Sequence, residues 1–167
     1  MRGLLCHPTF LSPRKNFSLC RKAVVLTIAF SGPSVNLAKQ KREKDMLAYV
    51  TIGTNSKEKA VAFYAELLGE LGAKQLFNNE RLVFFGTDMT TPMIAVGTPF
   101  DGEAATNGNG TMLAIPVGSR ENVDKIYAKA LALGATDEGA PGDRAPGFYG
   151  GYIRDFDRNK LTICHMG

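Results

Sequence analysis

From residue 47 the chain alternates. Ala48, Val50 and Ile52 fall on one side of an extended strand, and Leu47, Tyr49 and Thr51 fall on the other. A helical period follows, with Ala60, Phe63, Tyr64, Leu67, Leu68 and Leu71 on one stripe. Asn55 with Glu58 three residues on reads as its N-cap pair, and Gly72 is placed to end it. Shorter strand-like runs then occupy residues 73–77, 81–85 and 93–96. The whole order returns further on. Met112, Leu113, Ala114 and Ile115 lie 63 positions after Tyr49, Val50, Thr51 and Ile52, and Ser119, Arg120 and Glu121 repeat Ser56, Lys57 and Glu58. Val123, Ile126, Tyr127, Ala130 and Leu131 form a second helical stripe closed by Gly134. A Gly/Pro-rich stretch at 139–147 and runs at 148–154 and 160–165 complete the second copy.

A repeat of this kind dictates architecture. The unit is βαβββ, twice, with the Gly- and Asn-rich segment 102–110 between the copies. The fold class expected is α+β, with two βαβββ modules forming a mixed-sheet cup and the helices outside. If Ala48, Val50, Ile52, Leu113, Ile115, Ile153, Leu161 and Ile163 face the helices, the cup receives Tyr49, Thr51, Met112, Ala114, Tyr152, Arg154 and Thr162. Rings, hydroxyls and one guanidinium suit a small aromatic or anionic molecule, with Arg154 holding its charge. Tyr49, Thr51, Met112, Tyr152, Arg154 and Thr162 are the ligand-binding candidates. Arg144, Phe148 and Tyr149 sit in or beside the Gly/Pro-rich stretch, as a lid or as plain loop.

Composition changes the picture mainly at the N-terminus. The net charge is +4 over 167 residues, but residues 1–45 hold nine Lys and Arg against two acids, leaving eleven against fourteen in 46–167. The basic character therefore belongs to the tail, and the domain has no basic stripe for nucleic acid. The longest apolar run, residues 23–30, is far short of the ~18 residues of a membrane span. The tail reads three ways: a secretory signal, an acid-poor transit peptide, or a stretch upstream of the true start at Met46. On the last reading, residues 46–167 are the domain and fold without residues 1–45.

Catalytic chemistry is scarce. The three cysteines, Cys6, Cys20 and Cys164, show no zinc spacing, and a lone domain cysteine fits a reducing, cytoplasmic compartment. His165 is the domain's one histidine, and on a strand it points away from Cys164. Residues 155–159 open like a calcium loop but lack its Gly and its closing Glu, so they read as a polar turn. No catalytic residue is assigned.

Paired βαβββ units, Phe63-Tyr64 in the first helix, Gly-Ala after each helix and the hairpin Arg154-Asp155-x-Asp157-x-Asn159-Lys160-Leu161 resemble the vicinal oxygen chelate superfamily. This is the group of glyoxalase I, the fosfomycin and bleomycin resistance proteins and the extradiol dioxygenases, and the resemblance covers about residues 47–165. It implies a divalent metal in the cup, held by His, Gln or Glu on the first and last strand of each module. Carried over, those positions are Tyr49, Met112, Thr162 and either Ile94 or Ala95. None offers a first shell for Mg²⁺, Mn²⁺, Zn²⁺ or Ni²⁺. The expectation is a metal-independent small-molecule binder without a cofactor. The alternatives are a metal-dependent lyase or dioxygenase with an atypical site, and a protein-interaction domain. The resemblance also implies a homodimer, and positive φ at Arg158, a turn position that the family usually fills with glycine.

Overall fold

The computed structural model describes residues 46–167. The expectations for residues 1–45 lie outside the described residues. Ten elements follow in order: β1 (Tyr49–Gly53), α1 (Lys57–Gly69), β2 (Lys74–Asn78), β3 (Leu82–Gly86), β4 (Met93–Gly97), β5 (Leu113–Pro116), α2 (Arg120–Ala132), β6 (Thr136–Ala145), β7 (Phe148–Arg154) and β8 (Lys160–Met166). They are the two βαβββ modules. Each builds its own four-stranded mixed sheet, in the orders β1-β4-β3-β2 and β5-β8-β7-β6. The first strand of each module pairs in parallel with the last, and the remaining pairs are antiparallel.

Strand parity sets the layers. Ile52, Ile115, Ile153, Leu161 and Ile163 are buried in one core cluster with Phe63, Tyr64 and Leu67 of α1 and Val123, Ile126 and Tyr127 of α2. Leu113 packs against that cluster from the side, whereas Ala48 is exposed. Both helices end alike. Gly72 (φ 75°) and Gly134 (φ 98°) take left-handed conformations, and the amides of Ala73 and Ala135 return to the carbonyls of Leu68 and Ala130.

The helix starts differ. Ser119 caps α2 by accepting from the Asn122 amide. In α1 the N-cap is Ser56, not Asn55, and it makes no side-chain cap bond. Asn55 instead joins the hairpin of the second module. Its amide and its side-chain nitrogen both donate to Asp157 Oδ1, at 3.1 and 3.0 Å, and Thr54 Oγ1 donates to Asp157 Oδ2 at 2.5 Å. The carboxylate thus sits against the positive N-terminal end of α1. Asn55 also exchanges two bonds with the backbone of Ala105, which fixes the linker.

That hairpin turns at Arg158, whose φ of 67° is the one positive value among the described non-glycine residues. The Arg158 amide donates to Asp155 O and the Asp155 amide donates to Asn159 O. The expected turn geometry is present. Beneath it lies Asp155, 2% exposed. Its carboxylate accepts from the Tyr64 hydroxyl (2.8 Å), the amides of Asp157 and Asn159, and Asn159 Nδ2. Asn159 Nδ2 also donates to Gly53 O. A polar turn in the second module therefore fastens β1 and α1 of the first. Burial and the neighbouring Asp155 charge hold the Tyr64 phenol well above its ordinary pKa.

The Gly/Pro-rich stretch is not a loop. It forms most of β6, ten residues long, with three register irregularities along β7. Repeated bulges curl an edge strand. Phe148 and Tyr149 lie within β7 rather than on a lid.

Candidate functional site

The sheet faces turned from the helices carry different side chains in the two modules. In the first, Phe77 stacks on Phe84 with ring centroids 4.2 Å apart, and Tyr49 meets Phe84 edge-on at 5.3 Å. Leu82, Phe84 and Ala95 are buried there as a second cluster, with Met93 packed against it. In the second, Tyr152 lies between two cations. The Arg144 guanidinium is 5.1 Å and the Lys160 ammonium 5.3 Å from its ring centre. Arg144 also donates to the carbonyls of Gly150 and Ala140.

Arg154 is committed. It pairs with Glu138, and its second nitrogen donates to Arg158 O at 2.7 Å. Lys160 reaches the same carboxylate at 3.0 Å. Hydrogen bonds from Arg154 and then Lys160 hold the Glu138 carboxyl below the usual range. Two cations share one acid, so the cluster keeps one positive charge. The hairpin acids beside it are engaged elsewhere, Asp155 with Tyr64 and Asp157 with Thr54 and Asn55.

Thr162 is fully buried and donates its hydroxyl to Gly151 O. Cys164 follows on the same face, also fully buried, and burial raises its thiol pKa. His165 lies on the opposite side of β8, half-buried. Cys164 and His165 form no pair. Ile94 packs against the main core and Ala95 lies in the second cluster, so Ala95 is the position that corresponds to Thr162.

The free edges of β1 and β5 face one another across two cavities. One, about 150 Å³, is lined by Thr51, Asn107, Thr111, Met112, Asn159 and Lys160. The other, about 430 Å³, is lined by Tyr49, Leu68, Leu71, Phe85, Met93 and Ala114 among others. Val50 and Leu113 border both. Of the six ligand-binding candidates, Thr51 and Met112 line the smaller cavity and Tyr49 the larger. Tyr152, Arg154 and Thr162 line neither. Alternation along single strands identified face-pointing residues; a space between two strands that do not hydrogen-bond has no such signal.

The resemblance assigns a metal to four positions. Tyr49, Ala95, Met112 and Thr162 supply a phenol, a methyl, a thioether and an engaged hydroxyl, which do not fit Mg²⁺, Mn²⁺, Zn²⁺ or Ni²⁺. Among the described residues no group of three or more His, Cys, Asp or Glu is placed to hold a metal ion. No described helix is long and apolar enough to cross a membrane.

Paired βαβββ modules with outer helices define the class of fold, and solved structures share it. A glyoxalase/bleomycin resistance protein from Albidiferax ferrireducens T118 is 34% identical over 73% of this chain and 99% of its own, with a TM-score of 0.67. A glyoxalase/bleomycin resistance protein/dioxygenase family enzyme from Burkholderia phytofirmans PsJN is 24% identical over 72% and 98%, with a TM-score of 0.61. A lactoylglutathione lyase from Agrobacterium tumefaciens matches in fold at 18% identity over 72% and 92%, with a TM-score of 0.54. No protein-family model matches the sequence, and a search of curated proteins finds no match. The chain belongs to the glyoxalase/bleomycin resistance/dioxygenase superfamily.

Proposed function

We propose that this chain is a small-molecule-binding member of its superfamily that works without a divalent metal at the family's positions. One observation carries the reading: the four corresponding side chains are Tyr49, Ala95, Met112 and Thr162, and two of them are sealed from solvent. A binder needs a cavity rather than a ligand set, and the larger cavity falls within the roughly 300–1,000 Å³ typical of small-molecule sites. A reducing, cytoplasmic setting is part of the reading, supported by the free, buried Cys164. So is a homodimer, by family likeness, which sedimentation of the purified protein checks.

The test is elemental analysis of the full chain, with melting curves in the presence and absence of chelator and then against a library of small organic molecules. The expected result is substoichiometric metal, no effect of chelator, and hits that raise the melting temperature. A ligand at roughly 100 times its dissociation constant contributes about 2.7 kcal/mol, an easily read shift. One metal per chain, lost together with stability, overturns the reading in favour of a metalloenzyme with an atypical site.

A further inference from the structure

We infer that the seam between β1 and β5 is a single binding site for an amphiphilic carboxylate, its apolar body in the larger cavity and its head beside Lys160. The inference rests on the small-molecule reading and adds a place and a ligand class. Three observations support it. First, the two cavities are neighbours. Val50 and Leu113 line both of them, and these residues are 63 positions apart, at equivalent places in the repeat. Both residues border both spaces, so the cavities adjoin along the seam.

Second, the two ends have diverged in chemistry. At one end Leu68, Leu71, Phe85 and Ile94 line the space with hydrocarbon. At the other, Thr51, Asn107, Thr111 and Asn159 bring hydroxyls and amides. A ligand apolar throughout would offer those groups no partner, and a polar one would waste the larger space.

Third, the polar end offers a cation. Lys160 lines the smaller cavity, and its only ion-pair partner among the described residues is Glu138, which is shared with Arg154. An incoming carboxylate meets the unbalanced charge of that cluster. The Lys160 side chain is 31% exposed, so the ammonium is reachable without dismantling the pair.

The experiment is calorimetric titration of the full chain with octanoate, decanoate and dodecanoate below their micelle concentrations, beside decanol and decylamine. The carboxylates are expected to bind with affinity rising along the series, and decylamine not to bind. Lys160→Gln should weaken decanoate roughly tenfold, the size of one lost charge-assisted hydrogen bond, and leave decanol unchanged. Ala114→Trp places an indole in the larger cavity from an exposed strand position, and should abolish binding of both while the melting temperature holds. If decanoate binds Ala114→Trp as tightly as the parent, the seam is not the site, although the chain still binds small molecules. If no member of the series binds the parent, the ligand class is wrong; the library screen alone then decides the broader reading. Equal loss of decanol and decanoate in Lys160→Gln overturns the placement of the head.

Discussion

The first module lines its open sheet face with rings: Phe77 on Phe84, and Tyr49 against the edge. The second uses the same face for charge, with Arg144 and Lys160 about Tyr152 and Arg154 against Glu138. Under the helices the modules are alike, Ile52 matching Ile115 and Phe63-Tyr64 answered by Ile126-Tyr127. The turns diverge as well. In the first module the turn at 87–92 is held by Asp88 accepting from the Thr90 amide and hydroxyl. In the second, Asp155, Asp157 and Asn159 reach across to the other module. A repeat thus constrains the face that must be covered. The uncovered face and the turns are left free to specialise.

The comparison breaks most visibly at Phe84. Phe84→Ala should cost about 3 kcal/mol or more, as an aromatic lost from a packed site does, and the loss should be indifferent to salt. Urea unfolding at low and high ionic strength measures both. A loss under about 1 kcal/mol would mean the ring cluster packs loosely, since that is less than a buried large-to-small change normally costs.

Next comes the bridge between modules. Tyr64→Phe removes a buried donor to a carboxylate and should cost about 2 kcal/mol. The phenol's raised pKa has a sign. Because the folded state holds the proton more tightly, stability is full below about pH 10 and falls as pH rises towards the folded value. Tyr127 behaves alike: burial first, then the bond to Asp137, push it up to about 12. Unfolding midpoints from pH 9 upward should therefore decline, and less steeply in Tyr64→Phe.

Arg158→Gly should be neutral or stabilising by up to about 1 kcal/mol, the left-handed penalty that glycine escapes. A clear destabilisation would mean that the Arg158 side chain contributes more than its backbone costs.

The smallest effect belongs to the charged face. Glu138→Gln should alter stability only slightly at neutral pH, and that slight effect should fade in salt. The Glu138 carboxyl is depressed by Arg154 and then Lys160. Its contribution is therefore present above the ordinary carboxylate range and lost as pH falls through the depressed value. Parent and variant should converge on acidification. A salt-independent loss as large as that of Phe84→Ala would erase the distinction between the two faces.

Much of this was legible in the chain itself. Period-two alternation identified Ile115, Ile153, Leu161 and Ile163 as core, because helix cover leaves a sheet one buried side. The positive φ at Arg158 followed from the hairpin's resemblance to the family's. Other features were hidden for physical reasons. Asn55 has the chemistry of a cap, but its partner lies about a hundred residues away. Arg154 looked available because Glu138 is brought to it only by the pairing of β6 with β7. Glycines and prolines spoke against a strand at 139–147, yet an edge strand with bulges tolerates both.

The carboxylate at the start of α1 also bears on synthesis. The groups that Asp157 satisfies, Thr54 and Asn55, are made about a hundred residues earlier. While the chain grows, the first module leaves the ribosome with the amide of Asn55 and the hydroxyl of Thr54 without this acceptor. Only the hairpin between β7 and β8 closes the contact. Contacts so distant in sequence slow folding, and they tie α1 to the turn between β7 and β8. A chain released before residue 157 lacks that fastening, so its first helix frays from the N-terminal end and is open to proteolysis there.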